Sequence, residues 1–582
     1  MTAPVARPEP HERSGGHFGI GLGVVFTVVV LVMYRPSWSS MTGTLPWNLG
    51  DPALNTWILS WESHALLHDV GGFFDGNIFY PFGSSILYSE MMLPLVPVFA
   101  TVLALGGSAV FAHNLIVILL SILCLVTTYL LARRLIGHRG VAVLAAFVFS
   151  FSGYVFEHMS HLQLLTLGSF PLAFLLLFVA LETQRIRDGV LLGLATFALA
   201  TACLYYGAIW ALCLVSVLAV ELVRRRGHPG AAWWRTVGAA ALTAGVLLIP
   251  LALVYLQFQS TAGFQRPMVA AYGLKLRDLV APAPGTWLYQ SLYERAVRVE
   301  AAPVEHGFFL GFVALALAIA GLVAAFVHWR VAADGGRAQR EPVPGARWHE
   351  LGLLGVGAVV SLSMAVGATV LGVPGPFRFF YRFVPGFDSM QAVSRLAVPA
   401  LLFAAVLAAL GLQWLLRVAA PGLRVVVTIA VCVGVLAELY VTPIRHPVDS
   451  SEPRLAVYER LEQLPPGPVV ELPIPVPGDT GAPPLVEGPR MLSSIGDWRP
   501  RVNGYSGAYP DGYAELASVL NDFPDQRAVE RVRAEGVRYI VIHMGSGPDR
   551  SYPAEVAQAI VEARPPGATA EQIGSDWLVT LP

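Results

Sequence analysis

Apolar residues in this chain gather in long unbroken runs, without the three-to-four-residue rhythm of a half-buried helix or the alternation of a half-buried strand. Eleven such runs occupy approximately 17–34, 110–132, 141–156, 165–183, 188–204, 207–223, 236–255, 306–328, 350–372, 396–416 and 425–443. A bilayer core of about 30 Å takes about 20 apolar residues per helix, so the pattern predicts a polytopic α-helical membrane bundle of about eleven transmembrane helices. A twelfth run, "MMLPLVPVFATVLALGG" at 91–107, is short and carries Pro94 and Pro97. It reads as a re-entrant or interfacial helix.

From about residue 446 the pattern changes. "GPVVELPI", "VRYIVIH" and "DWLVTLP" are short β-branched runs between Gly/Pro breaks, while "DGYAELASVLNDF" and "DQRAVERVRAEG" have helical periodicity with a stop at Gly536. Two domains are therefore expected, a membrane domain over 1–445 and a small α/β domain over 446–582.

Composition agrees, with 55% hydrophobic and only 13% charged residues. Basic and acidic residues nearly cancel, and no nucleic-acid signature appears. The four cysteines, Cys124, Cys203, Cys213 and Cys432, lie in apolar runs and suggest no disulfide framework. Arginines cluster in every second loop, as in Arg133/Arg134/Arg139, Arg224/Arg225/Arg226/Arg235 and Arg330/Arg337/Arg340/Arg347. By the positive-inside rule this places a multi-pass protein in the plasma membrane, N-terminus cytoplasmic and C-terminal domain extracytoplasmic. Gly, Arg and Pro in 331–347 mark that loop as the best flexible linker.

The first exterior loop, 35–109, holds Asp51, Glu62, Asp69, Asp75 and Glu90 but no lysine or arginine after Arg35. Asp51 opens the helix-like stretch "PALNTWILSWESHALLHD", with Pro52 suited to the first helical position and Asp51 to the N-cap. Capping is the plainest role for it. Trp57, Trp61, Leu54, Ile58 and Leu66 give that stretch one broad apolar side, suited to a helix in the membrane interface. The next exterior loop, "YVFEHMSHLQ", brings a second acid, Glu157, with His158 and His161. Ionisable groups at membrane depth are costly and tend to face cavities, so the two acids are expected to converge. The histidine spacing matches no zinc-protease motif, and His64 with His68 reads as an amphipathic face; no metal ligands are assigned.

Taken together, the large first exterior loop with an acid behind the first span, the second acid after the third span and the exterior C-terminal domain resemble the GT-C superfamily of membrane glycosyltransferases. "GDPALNTWILSWESHALL", "LLARRLIGHRGVAVLAAFVFSFSGYVFEH" and "PGFDSMQAVSRLAVPALL" are similar to bacterial members of that group, including YfhO-type proteins. The chain lacks the W-W-D acceptor motif and has no D-x-D pair in its first loop. The resemblance implies transfer of a sugar from a polyprenyl-phosphate-linked donor to an extracytoplasmic glycan, lipid or protein. It implies Asp51 as general base toward the acceptor hydroxyl, and Glu157 as an acid that assists, orients the acceptor or holds an ion. No cofactor is certain, and a divalent cation has room.

An anionic leaving group needs cations. Arg378, Arg382 and Arg395 in "GPFRFFYRFVPGFDSMQAVSR" suit donor phosphate, or else lipid head groups or Asp388. Arg266 and Arg277 are weaker candidates. For the acceptor, His158 and the aromatic stretch holding Trp498 and Tyr505 are expected contacts; a packed loop between domain and bundle is the alternative for that stretch. A transporter or flippase of lipid-linked sugars also needs a charged cavity, but the two-half symmetry common in transporters is not seen in the sequence. A non-catalytic envelope scaffold stays open.

Overall fold

Each apolar run forms a helix in the computed structural model, which describes residues 13–34, 40–46, 48–262, 272–297, 305, 307–333, 342–367, 369–370, 373–417, 419–442, 445–447, 456–477, 483–545 and 551–582. In chain order the first helices are α1 (Arg13–Met33), α2 (Asp51–His68), α3 (Val96–Ala104), α4 (Ala109–Ile136), α5 (Arg139–Ser150), α6 (Gly153–Glu157), α7 (Ser169–Thr183) and α8 (Ile186–Ala202). They continue with α9 (Leu204–Arg224), α10 (Ala231–Ala262), α11 (Gln290–Val297), α12 (Phe312–Ala333), α13 (Trp348–Ala365), α14 (Pro376–Phe383), α15 (Val398–Leu415) and α16 (Pro421–Leu439).

Nine segments among the described residues are long and apolar enough to cross a membrane, fewer than the eleven expected. Of the eleven expected spans, α1 and α8 are not among the nine; α8 has 17 residues, a rise of about 26 Å against a core of about 30 Å. The proline-bearing run forms a short apolar helix over Leu93–Ala104 and is not among the nine. In the bundle, α12 and α15 approach through glycines. A Cβ at Gly321 would stand 2.1 Å from the Leu407 carbonyl oxygen, and one at Gly411 2.0 Å from that of Leu317, the small-residue contact that lets apolar helices pack closely.

The C-terminal part is built around a four-stranded sheet. Strands β1 (Thr44–Pro46), β2 (Thr369–Val370), β3 (Val373–Pro374) and β4 (Arg445–Pro447) form two small ribbons, β1 with β4 and β2 with β3. The sheet comprises β5 (Val469–Leu472), β6 (Tyr539–Ile542), β7 (Thr569–Ile573) and β8 (Asp576–Thr580) in the order β5-β6-β8-β7, with β5 and β6 parallel and the other pairs antiparallel. Around it lie α17 (Ala456–Glu462), α18 (Pro483–Ser493), α19 (Tyr513–Asn521), α20 (Gln526–Ala534) and α21 (Ala554–Glu562). The β1/β4 ribbon ties the approach to α2 to the chain leaving α16.

Helix α2 is wedged between bundle and C-terminal part, not laid on a lipid interface as its aromatic side suggested. Trp57 and Trp61 are buried, their indoles donating to Asn77 Oδ1 (2.9 Å) and the Phe73 carbonyl (3.0 Å). Thr56, Ser60 and Ser63 satisfy their hydroxyls on carbonyls one turn back. α18 lies against the start of α2 so closely that a Cβ at Gly488 would stand 1.9 Å from the Leu49 carbonyl oxygen.

Glu62, three turns along α2 from Asp51, is completely buried, and both its oxygens lack a hydrogen-bond partner at normal distance among the described residues. Burial, only partly opposed by the Met92 backbone, pushes its carboxyl up to about 8. A raised acid keeps its full contribution to stability below the unfolded-state value, about 4.3, and loses it as pH rises through about 8. Glu62→Gln, which mimics the protonated acid, is therefore expected to flatten the fall in unfolding temperature between pH 5 and 9 and to raise it at pH 8. An equally steep fall in the variant would contradict this.

Candidate active site

Asp51 is the first residue of α2. The N-cap is Gly50, with proline filling the opening turn, so the expected capping role is corrected: the Asp51 side chain is turned toward two other segments. Its Oδ2 lies 3.0 Å from His161 Nε2, and its Oδ1 accepts a hydrogen bond from the Tyr505 hydroxyl at 2.5 Å. The side chain is 29% exposed, so one side stays open. Burial alone would raise this carboxyl, but the His161 contact, the Tyr505 hydrogen bond and the charge of Arg395 together hold it below the usual aspartate range. The helix N-terminus adds a favourable field for an anion.

Three connections deliver these groups. The loop after α6 carries His158 and His161, ring centroids 5.4 Å apart, with Ser160 Oγ 3.1 Å from His161 Nδ1. The 3-10 turn Val393–Ala397 ahead of α15 carries Arg395, and the approach to α12 carries Glu305. Arg395 grips Glu305 with two N–H donors, Nε to Oε2 at 3.1 Å and Nη2 to Oε1 at 2.6 Å, and lies over the Tyr205 ring. His158 Nε2 is 3.8 Å from Glu305 Oε2. Burial pushes the His158 imidazole down to about 3, so it is neutral near pH 7. Glu305 is buried as well, yet Arg395, with His158, holds its carboxyl down at about 2.

Several expectations need correction. Asp51 is not unpaired. Glu157 is buried beneath the backbone of Gly307, where a Cβ would stand 1.6 Å from its Oε2; the acid that joins the neighbours of Asp51 is Glu305. The signal that drew attention to Glu157, an acid at the outer end of an apolar run, applies equally to Glu305 just before 306–328. Arg395 is not a free fork for phosphate, because one edge is spent on Glu305. His158 is 1% exposed and forms part of the wall, not a surface for an acceptor. Trp498 stacks on His64 (4.8 Å) and packs edge-on to Trp61 (5.4 Å). Those partners are ten and thirteen residues along α2 from Asp51, about 15–20 Å away, too far to share one sugar with the base.

Arg378 and Arg382 are exposed, one turn apart on α14, beside exposed Phe379 and Phe383. Arg277 is within 4.0 Å of Asp278; Arg266 and residues 334–341 of the 331–347 loop lie outside the described residues. Among the described residues no group of three or more His, Cys, Asp or Glu is arranged to hold a metal ion.

Tyr505 owes its place to a buried polar clamp. Glu471 on β5 receives Arg501 Nη1 (2.5 Å) and the Tyr458 hydroxyl (2.6 Å), with His543 Nε2 2.9 Å away. The Asn503 side chain pairs with the Glu471 backbone through both its oxygen and its nitrogen, at 2.7 and 2.9 Å. On its other edge this segment meets the first loop: Arg501 N–H donates to the Asn77 carbonyl and Tyr80 N–H to the Arg501 carbonyl. Residues 501–503 thus bridge the sheet to the loop after α2, and Tyr505 emerges two residues later over Asp51.

Fold and site together define a polytopic membrane protein whose polar site is shared between one end of its bundle and a C-terminal α/β part. Solved structures share this fold. The arabinofuranosyltransferase AftD from Mycobacteria superposes with a TM-score of 0.56 at 16% identity, over 96% of this chain and 40% of that one. A mutant form of AftD gives 0.58 at 15%, over 96% and 41%. ArnT from Cupriavidus metallidurans, bound to undecaprenyl phosphate, covers 96% of this chain and 98% of its own at 12% identity, with a TM-score of 0.48. This chain spans about two fifths of the AftD proteins. No protein-family model matches the chain, and no curated protein matches it in sequence.

Proposed function

We propose that the protein is a membrane glycosyltransferase that moves a sugar from a polyprenyl-phosphate-linked donor to a hydroxyl-bearing acceptor outside the cell, with the N-terminus cytoplasmic and residues 446–582 an extracytoplasmic domain. The observation that carries this reading is the Asp51 carboxylate, held ionised at the start of a buried helix, half-open, and backed by the Arg395–Glu305 pair. An acceptor hydroxyl is a weak nucleophile, and a carboxylate within hydrogen-bond reach takes its proton as the anomeric bond to phosphate breaks. His161 holds the carboxylate from behind, and the positive charge of Arg395 favours the developing phosphate anion. The fold shared with AftD, which is named an arabinofuranosyltransferase, makes a pentose the first donor to try.

On this reading Arg378 and Arg382 meet the donor phosphate at the membrane boundary while Phe379 and Phe383 rest among acyl chains. Arg378→Ala with Arg382→Ala is expected to raise KM for the donor roughly fivefold with little change in kcat; an unchanged KM would remove these arginines from the phosphate site. The reading itself is tested by reconstituting the full chain in liposomes with polyprenyl-phosphoryl arabinofuranose or mannose and an envelope glycan acceptor. Release of polyprenyl phosphate coupled to a glycosylated product is expected. Movement of an intact donor across the bilayer without cleavage would instead mark a flippase.

A further inference from the structure

Both oxygens of the Asp51 carboxylate are engaged from within the chain, but by partners of different kinds. His161 belongs to a loop of the bundle and has Ser160 behind it. Tyr505 reaches in from 454 positions away and brings a neutral O–H, the same donor group that a sugar acceptor would bring. A phenol is a stronger acid than a sugar alcohol, so it makes the stronger hydrogen bond, and accepting that bond leaves the carboxylate less basic. Its backbone is supported through Asn503 and lies between buried Gly504 and Ser506, while the Tyr505 side chain is half-buried beside the partly open Asp51.

Resting on the glycosyl-transfer reading, we propose that Tyr505 is a stand-in for the acceptor hydroxyl, occupying the base until an acceptor displaces it and so protecting the donor from water. The reaction it suppresses is hydrolysis. There the water oxygen forms a bond to the anomeric carbon, its proton passes to Asp51, and the carbon–oxygen bond to phosphate breaks with its electron pair leaving on polyprenyl phosphate. In transfer the acceptor oxygen takes the place of water and the same bond breaks. Displacing Tyr505 also removes the hydrogen bond that weakens the base, so Asp51 becomes more basic at the moment a nucleophile arrives.

The test is Tyr505→Phe in the full chain, reconstituted with polyprenyl-phosphoryl arabinofuranose and no acceptor. Release of free arabinose is expected to rise about tenfold over the unaltered protein, and the acidic limb of its pH profile to move up by about one pH unit. A residue that merely packs would slow transfer and hydrolysis together and leave that limb in place; that result, or unchanged release, overturns the proposal. A protein that transfers sugar but whose variant hydrolyses no faster loses only the stand-in. One that consumes neither the arabinose nor the mannose donor loses the transfer reading as well, and the stand-in with it.

Discussion

Asp51→Asn abolishes sugar transfer while leaving the fold in place: a loss of about a hundredfold to ten-thousandfold in kcat is expected, the range over which a positioned general base contributes. Asparagine has the same shape and can still accept from Tyr505, but its amide cannot take a proton from the acceptor. The unfolding temperature should therefore change little while turnover collapses. The acidic limb of kcat/KM in the unaltered protein, which reports the free base, is expected below the pH of an ordinary aspartate, because His161, Tyr505 and Arg395 outweigh burial at this carboxyl. Transfer in reconstituted membranes, measured from about pH 2.5 to 8, checks both points. An asparagine variant with full turnover would move the base elsewhere.

The second large effect concerns the Arg395–Glu305 pair. Both side chains are largely buried and joined by two hydrogen bonds. Removing one partner strands the other in a medium that cannot solvate it, so Arg395→Ala or Glu305→Ala alone is expected to cost about 3–5 kcal/mol of stability. Replacing both with methionine removes the stranded charge and should recover most of that loss. Transfer should not recover in the double variant, because the positive charge that helps hold Asp51 ionised is gone. Thermal unfolding in detergent and transfer in liposomes separate the two outcomes. If Arg395→Ala unfolds at the same temperature as the unaltered protein, the pair is not the structural support described here.

Much of the architecture was legible in the sequence because it follows from local chemistry. Apolar runs the length of a bilayer have few other ways to satisfy their backbone, and each forms a helix. Three of the four sheet strands were visible as β-branched runs; β7 was not, because its "TAEQI" segment lies at the sheet edge with mostly polar residues facing solvent. Helices α17, α18 and α21 were missed, and α18 has Pro489 in its interior, a residue that argues against a helix. The 188–204 run reads as a span, yet its helix α8 has only 17 residues.

The candidate site was only half legible. Asp51 stood out as an acid without local cations, and Tyr505 as one aromatic in a tyrosine-rich stretch, but nothing linear joins positions 51 and 505. The same holds for Glu305, which meets Arg395 ninety residues on, and for Glu157, whose burial under Gly307 depends on how the approach to α12 crosses the loop after α6.

Hydropathy alone determined that this chain is a membrane bundle with a C-terminal α/β part, and residue order that acids gather at the ends of its apolar runs. Only the tertiary structure decided which acids meet which cations. Membrane helices are specified one at a time by their transfer from water, whereas pairing between carboxylate, imidazole, guanidinium and phenol depends on loops that pack across hundreds of residues, where a shift of a few ångströms separates a base from a buried brace.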